Sequence, residues 1–184
     1  MSVATHSLTW LFPIVFMFHD FEEIVLGEPR QRKNAGDLRE RIKTSAPVFL
    51  TKQIGAILNK TAAELSFPIS LIFALTVLAS YLAAAHEAYG FFPLASAAFF
   101  LHGFMHLGRA PILRGYVPAA ITSAVFVIPS GLILHGRLIH EGTVGASGLL
   151  IWFLPASILT VPFMLVTHKA GSFLYEKSVR LLIE

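Results

Sequence analysis

Five windows of about 20 apolar residues dominate this chain, each long enough to cross a hydrocarbon core roughly 30 Å thick. They fall at about 8–26, 65–85, 91–108, 114–135 and 147–167. Backbone surrounded by lipid must close its own hydrogen bonds, and these windows are long and lack period-2 alternation, so they predict helices rather than strands. Composition agrees: 55% of the 184 residues are hydrophobic, 14% are charged, and the mean hydropathy is +0.68, beyond what a soluble globular domain shows. The expected fold is all-α, a polytopic membrane helical bundle of about five spans forming one membrane domain over 1–184. The first apolar run is longer than a signal-peptide core and ends in acids rather than at a small-residue cleavage site, so it reads as a retained helix.

The cations fix an orientation. With the segment after the first helix placed in the cytoplasm, every Lys and Arg except Arg137 falls on the inner side. That distribution satisfies the positive-inside rule and predicts an outer N-terminus, a cytoplasmic C-terminus and residence in the cytoplasmic membrane. The pI of 9.4 therefore reflects topology. The basic residues flank apolar windows with no aromatic-basic recognition pattern, so no nucleic-acid partner is expected. Between the first two windows lie a charged cytoplasmic segment, 27–46, and an amphipathic extension, 47–64, for which Thr44 or Ser45 before Pro47 offers a helix start. The tail from Gly171 to Glu184 reads as a short interfacial helix. Absence of cysteine rules out disulfides, iron–sulfur clusters and thiolate zinc sites, leaving His, Asp and Glu as metal ligands.

Within the first window stands HDFEE, residues 19–23. Charges at membrane depth cost several kcal/mol unless they face the bundle interior and are paired or metal-bound. At about 1.5 Å per residue, His19 lies roughly 16 Å and Glu23 roughly 22 Å down the first helix. The third helix runs the same way, and its HGFMH places His102 and His106 at the same two levels. His19 with Glu22 or Glu23, and His102 with His106, are i,i+3 and i,i+4 pairs that share a helix face. Glu64, at the start of the second helix, falls near the same inner level. Imidazoles and carboxylates on three helices suit a divalent metal, and Glu and His at such spacing build dinuclear sites in helical bundles.

Blander readings stand beside this one. The first helix can end near Phe18, with the acids opening a solvated loop. Asp20 points away and suits an interfacial or supporting role. His102 and His106 can be packed histidines, and Glu64 an ordinary helix-start acid paired to Lys60. The outer set of His86, Glu87, His135, His140 and Glu141 is where loop-end polar residues are expected. Tyr116 is either a headgroup-level aromatic or a proton donor to the site. Arg109, one turn past His106, anchors the inner side or holds an anionic headgroup. Ala95, Ser96 and Ala97 permit close helix approach.

With His19, Glu22 and Glu23, the stretch resembles the defining motif of the HXXEE family, small membrane proteins of uncertain function. The placement of HDFEE in the first helix and the later H-x-x-x-H helix extend the resemblance over roughly the whole chain. The family pattern continues with Tyr-x-Pro-Gly, and here RGYVPA supplies Tyr116 and Pro118 but Ala119 in place of Gly. The resemblance implies no reaction.

The residues lead to the expectation of a membrane-embedded metalloenzyme acting on a lipid-like or other hydrophobic molecule near the cytoplasmic leaflet. Its metal ligands would be His19, Glu22, Glu23, Glu64, His102 and His106. Such a carboxylate-rich set favours iron, with zinc or manganese as alternatives, and oxidoreductase chemistry of the di-iron type. In the zinc alternative, a hydrolase, Glu22 acts as general base, with Tyr116 as its catalytic companion. A transporter relaying cations or protons through the same residues is the rival from another class.

Overall fold

The computed structural model describes residues 2–45 and 60–183, and everything regular among them is helical. Five helices follow in order: α1 Val3–Ser45, α2 Ala62–His86, α3 Phe92–Ile112, α4 Ala120–His140 and α5 Ala146–Leu182. Within α4 the residues Ser123–Val127 form a π-helical turn. Three of the five, Ala62–His86, Ala120–His140 and the Leu150–Leu182 part of α5, are long and apolar enough to cross a membrane. The other two, α1 and α3, are those that carry HDFEE and HGFMH, and these polar insertions dilute their apolarity. Along α5, Leu150, Ile151, Leu154, Ile158 and Val166 are each at least 64% exposed. A continuous apolar stripe of that kind belongs against hydrocarbon rather than water.

Several expected boundaries are corrected. The first helix does not end near residue 26: α1 runs unbroken through the charged segment to Ser45. Its Glu, Arg, Lys and Gln residues are strong helix formers, and Glu28 pairs with Arg32 one turn on. Thr44 and Ser45 accordingly close a helix rather than open one, and the amphipathic extension over 47–59 lies outside the described residues. The fourth helix begins at Ala120, not near residue 114: Arg114 and Ala119 adopt positive φ values of 47° and 66°, and Pro118 stands between them. The tail expected as a separate helix after Gly171 is the continuation of α5.

The core lies where α1 packs on α2, α3 and α4, with α5 closing over α2 and α3. Phe12 and Phe16 of α1 meet Phe92 and Phe99 of α3 in edge-on and tilted ring contacts. Leu65 and Ile69 of α2 join them, with Val127, Leu134 and Leu138 of α4. Small residues set the closest approaches. A methyl group on Gly103 would stand 2.9 Å from Val127 in the π-helical turn, and one on Gly171 would stand 2.4 Å from Cδ and 2.5 Å from the backbone nitrogen of Pro68.

Carboxylates from neighbouring elements close helix N-termini. Thr61 caps α2 from within, accepting from the Glu64 amide at 3.1 Å, while Glu28 of α1 accepts from the Ala62 amide at 2.8 Å. Glu141, after α4, accepts from the Ser2 amide at 2.8 Å, the Thr5 hydroxyl at 2.6 Å and the Ser2 hydroxyl. These bonds, those of Ser2 foremost, hold its carboxyl at about 2 against an ordinary 4.5.

Two outcomes follow from these contacts. Gly171→Ala drives a methyl into Pro68 backbone that cannot yield, so its thermal unfolding in detergent should report a loss of about 1–3 kcal/mol. The depressed Glu141 carboxyl contributes stability that is complete above about pH 4.5 and disappears as pH falls toward 2. The stability advantage of the parent over Glu141→Gln, read by thermal midpoints, should therefore be constant near neutrality and shrink across that acid window.

Candidate metal centre

Helices α1 and α3 bring three of the sequence-predicted residues to one point. One ring nitrogen from each of His19, His102 and His106 lies within 4.8 Å of the others, the one such cluster of potential ligands among the described residues. His19 is 0% and His106 1% exposed. The ring centroids stand 5.0 Å (His19–His106), 5.4 Å (His19–His102) and 4.5 Å (His102–His106) apart. The i,i+4 spacing aims both α3 rings at α1, and Phe99, a turn before His102, packs edge-on to His19.

The hydrogen bonds around the rings decide which nitrogen faces inward. His106 Nδ1 lies 2.8 Å from the Pro118 carbonyl oxygen. A carbonyl only accepts, so the proton sits on Nδ1 and Nε2 presents its lone pair to the cluster. On His19, Nδ1 lies 3.3 Å from the Thr122 hydroxyl, which itself donates to Glu22 Oε2 at 2.6 Å. That hydroxyl has one proton, already given to Glu22, so it accepts from His19 Nδ1–H. His19 Nε2 is buried with no partner. His102 Nε2 approaches His106 Nε2 at 2.9 Å, while His102 Nδ1 is buried and unpartnered. Two outer nitrogens are thus tied to oxygen groups while the inner ones converge, His19 Nε2 bare and His106 Nε2 facing His102 Nε2, the arrangement that orients histidines for a metal. The donor set, three neutral imidazoles with no carboxylate among them, fits zinc best.

The carboxylates expected beside the histidines are deployed otherwise. Glu22 accepts from the Thr122 amide at 2.8 Å, the Ile121 amide at 3.3 Å, the Thr122 hydroxyl and the Tyr116 hydroxyl. It caps the N-terminus of α4 from α1, where the helix dipole and free amides favour an anion. Tyr116 is joined to the centre through that bond. Burial and the bond to Glu22 raise its phenol above the usual 10, so it remains a proton donor. Glu64 accepts from Ser172 at 2.8 Å and lies 3.4 Å from the Lys60 ammonium, at the α2–α5 junction and apart from the rings. Glu23 is half-buried, within electrostatic reach of His19, Asp20, Arg109 and His168. Asp20 is 5% exposed, and its Oδ2 accepts no bond.

A model of the family described as protein of unknown function with HXXEE motif matches residues 10–134, from the start of the core on α1 to the middle of α4. The chain belongs to the HXXEE family. The match encloses all three histidines, Glu22, Tyr116 and Thr122. No curated protein and no solved structure matches significantly. Ala119, where the resemblance led to an expectation of Gly, sits at φ 66°, in the left-handed region that glycine enters without strain.

The outer set does not assemble. His135 is buried against Ser96 at 3.2 Å, His86 meets Tyr81, and Glu141 is taken up by Ser2 and Thr5. Two participants had no sequence signal of their own, the Thr122 hydroxyl and the Pro118 carbonyl, because each depends on an approach across more than ten residues of chain. The expected consequence is specific. Thr122→Val keeps the shape of α4 but removes the acceptor of His19 Nδ1, and should weaken zinc binding about 10–100-fold in a competition titration. Glu22→Ala should also cost about 1–2 kcal/mol of thermal stability through the lost cap.

Proposed function

We propose that this chain is a membrane-embedded, metal-dependent enzyme whose ion is held by His19, His102 and His106, with a hydrolytic reaction on a lipid-like or other hydrophobic substrate. The observation that carries the reading is the convergence of three imidazoles, with the outer nitrogens of His19 and His106 already engaged. Three protein ligands leave a fourth position open, as catalytic zinc requires, and the bound ion would supply Lewis acidity and an activated water. The chain's own residues do the rest: Tyr116 gives its hydrogen bond to Glu22, and Glu22 thereby fixes that phenol and the start of α4 beside the centre. In the proposed topology all five helices cross the cytoplasmic membrane with the N-terminus outside, so that the 113–119 connection lies at the inner leaflet and the centre is reached from there.

A mononuclear centre is favoured over the di-iron form. A dinuclear carboxylate site needs more than one bridging carboxylate, yet both oxygens of Glu22 are committed to α4 and Glu64 is committed to Lys60 and Ser172, which leaves Glu23 alone near His19. Elemental analysis of protein purified without added metal should find about one zinc per chain. His19→Ala and His106→Ala should each retain less than about a tenth of it, with Glu64→Gln unchanged. Two irons per chain that depart together in Glu64→Gln would restore the dinuclear oxidoreductase, and a metal-free parent would remove the enzyme reading altogether.

A further inference from the structure

Each of the two helices that supply the histidines continues down the same stripe to an arginine. On α3 the order is His102, His106, Arg109, spaced i, i+4, i+7; on α1 it is His19, Glu23, Arg30, spaced i, i+4, i+11. Such spacings stay on one helix face. Arg109 lies about 4.5 Å beyond His106 along its helix, and Arg30 about 16 Å beyond His19 along its own. Both are half-buried, and neither guanidinium makes a hydrogen bond or ion pair among the described residues. Arg32, by contrast, is spent on Glu28. Arg109 is within electrostatic reach of His102, His106 and Glu23, and Arg30 of Tyr116. Two unspent guanidiniums therefore border the centre on the side of the 113–119 connection.

We propose that Arg109 and Arg30 hold the anionic head, a phosphate or a carboxylate, of an amphiphilic substrate whose apolar part lies in the bilayer. A planar guanidinium with five donors matches such a head by paired hydrogen bonds. Charge balance agrees. Glu22 is committed to the α4 N-terminus and Tyr116, Glu23 offsets one guanidinium, and an ion at the histidines leaves the mouth positive. The inference rests in that last respect on the metal centre proposed above.

The test uses the full chain in maltoside micelles, loaded with zinc, with dodecyl phosphate and inorganic phosphate titrated separately and followed by phosphorus NMR. Dodecyl phosphate should saturate the parent. Arg109→Gln and Arg30→Gln should each raise its apparent Kd about tenfold. Arg109→Lys should lie between parent and Gln, which separates loss of charge from loss of fold, and the exposed Lys177→Gln should match the parent. Zinc content measured on each sample keeps the two ideas apart, since the arginine variants should keep their metal and the histidine variants should lose it. Arginine variants that titrate within twofold of the parent would overturn the proposal whatever the zinc content. Inorganic phosphate binding as tightly as dodecyl phosphate would overturn the amphiphile and leave a soluble anion as ligand.

Discussion

The Glu22 carboxylate on the α4 N-terminus is the bond on which the centre depends. A helix that starts inside a bundle exposes amides that lipid cannot satisfy, and an anion from a neighbouring helix answers both the missing acceptors and the dipole. By docking there, Glu22 sets the position of Thr122, which orients His19. It also holds Tyr116, in the segment whose Pro118 carbonyl orients His106. One carboxylate thereby couples α1, the 113–119 connection and α4 into a frame for rings carried on α1 and α3. The same device recurs at Glu28 on α2 and Glu141 on α1.

Much of this was legible in the sequence. The five apolar windows fall on the five helices, and level matching across two of them pairs His19 with His102 and His106, because helical rise is fixed and both helices run in one direction. The start of α4 was misplaced, since apolar residues such as Val117 hide a turn that backbone conformation enforces. The carboxylates were harder to assign. An acid at i+3 from a histidine looks the same on a sequence whether it binds metal or caps a helix, and what separates the two is a partner about a hundred residues away. Glu22 and Glu64 each found such a partner, in Thr122 and Ser172 respectively.

The π-helical turn Ser123–Val127 adds a geometric element that no periodicity announces. It starts directly after Thr122 and brings Val127 against the bare backbone of Gly103, one residue beyond His102. The α3 rings are therefore held at the level of α1 by close contact on an adjoining flank as well as by hydrogen bonds. Such turns are frequent where a helix must re-aim side chains.

The two outer bonds of the histidines differ in kind, and that difference governs how the site responds to inherited change. Thr122 is a side chain, so a single amino-acid replacement can delete the acceptor of His19. The acceptor of His106 is a main-chain carbonyl, and every residue that could stand at position 118 carries one. Replacement there cannot erase the bond; it can only re-aim it, through a φ that proline fixes. At position 118 the connection is thus free to vary its side chain while conserving a shape, whereas α4 must keep one particular hydroxyl.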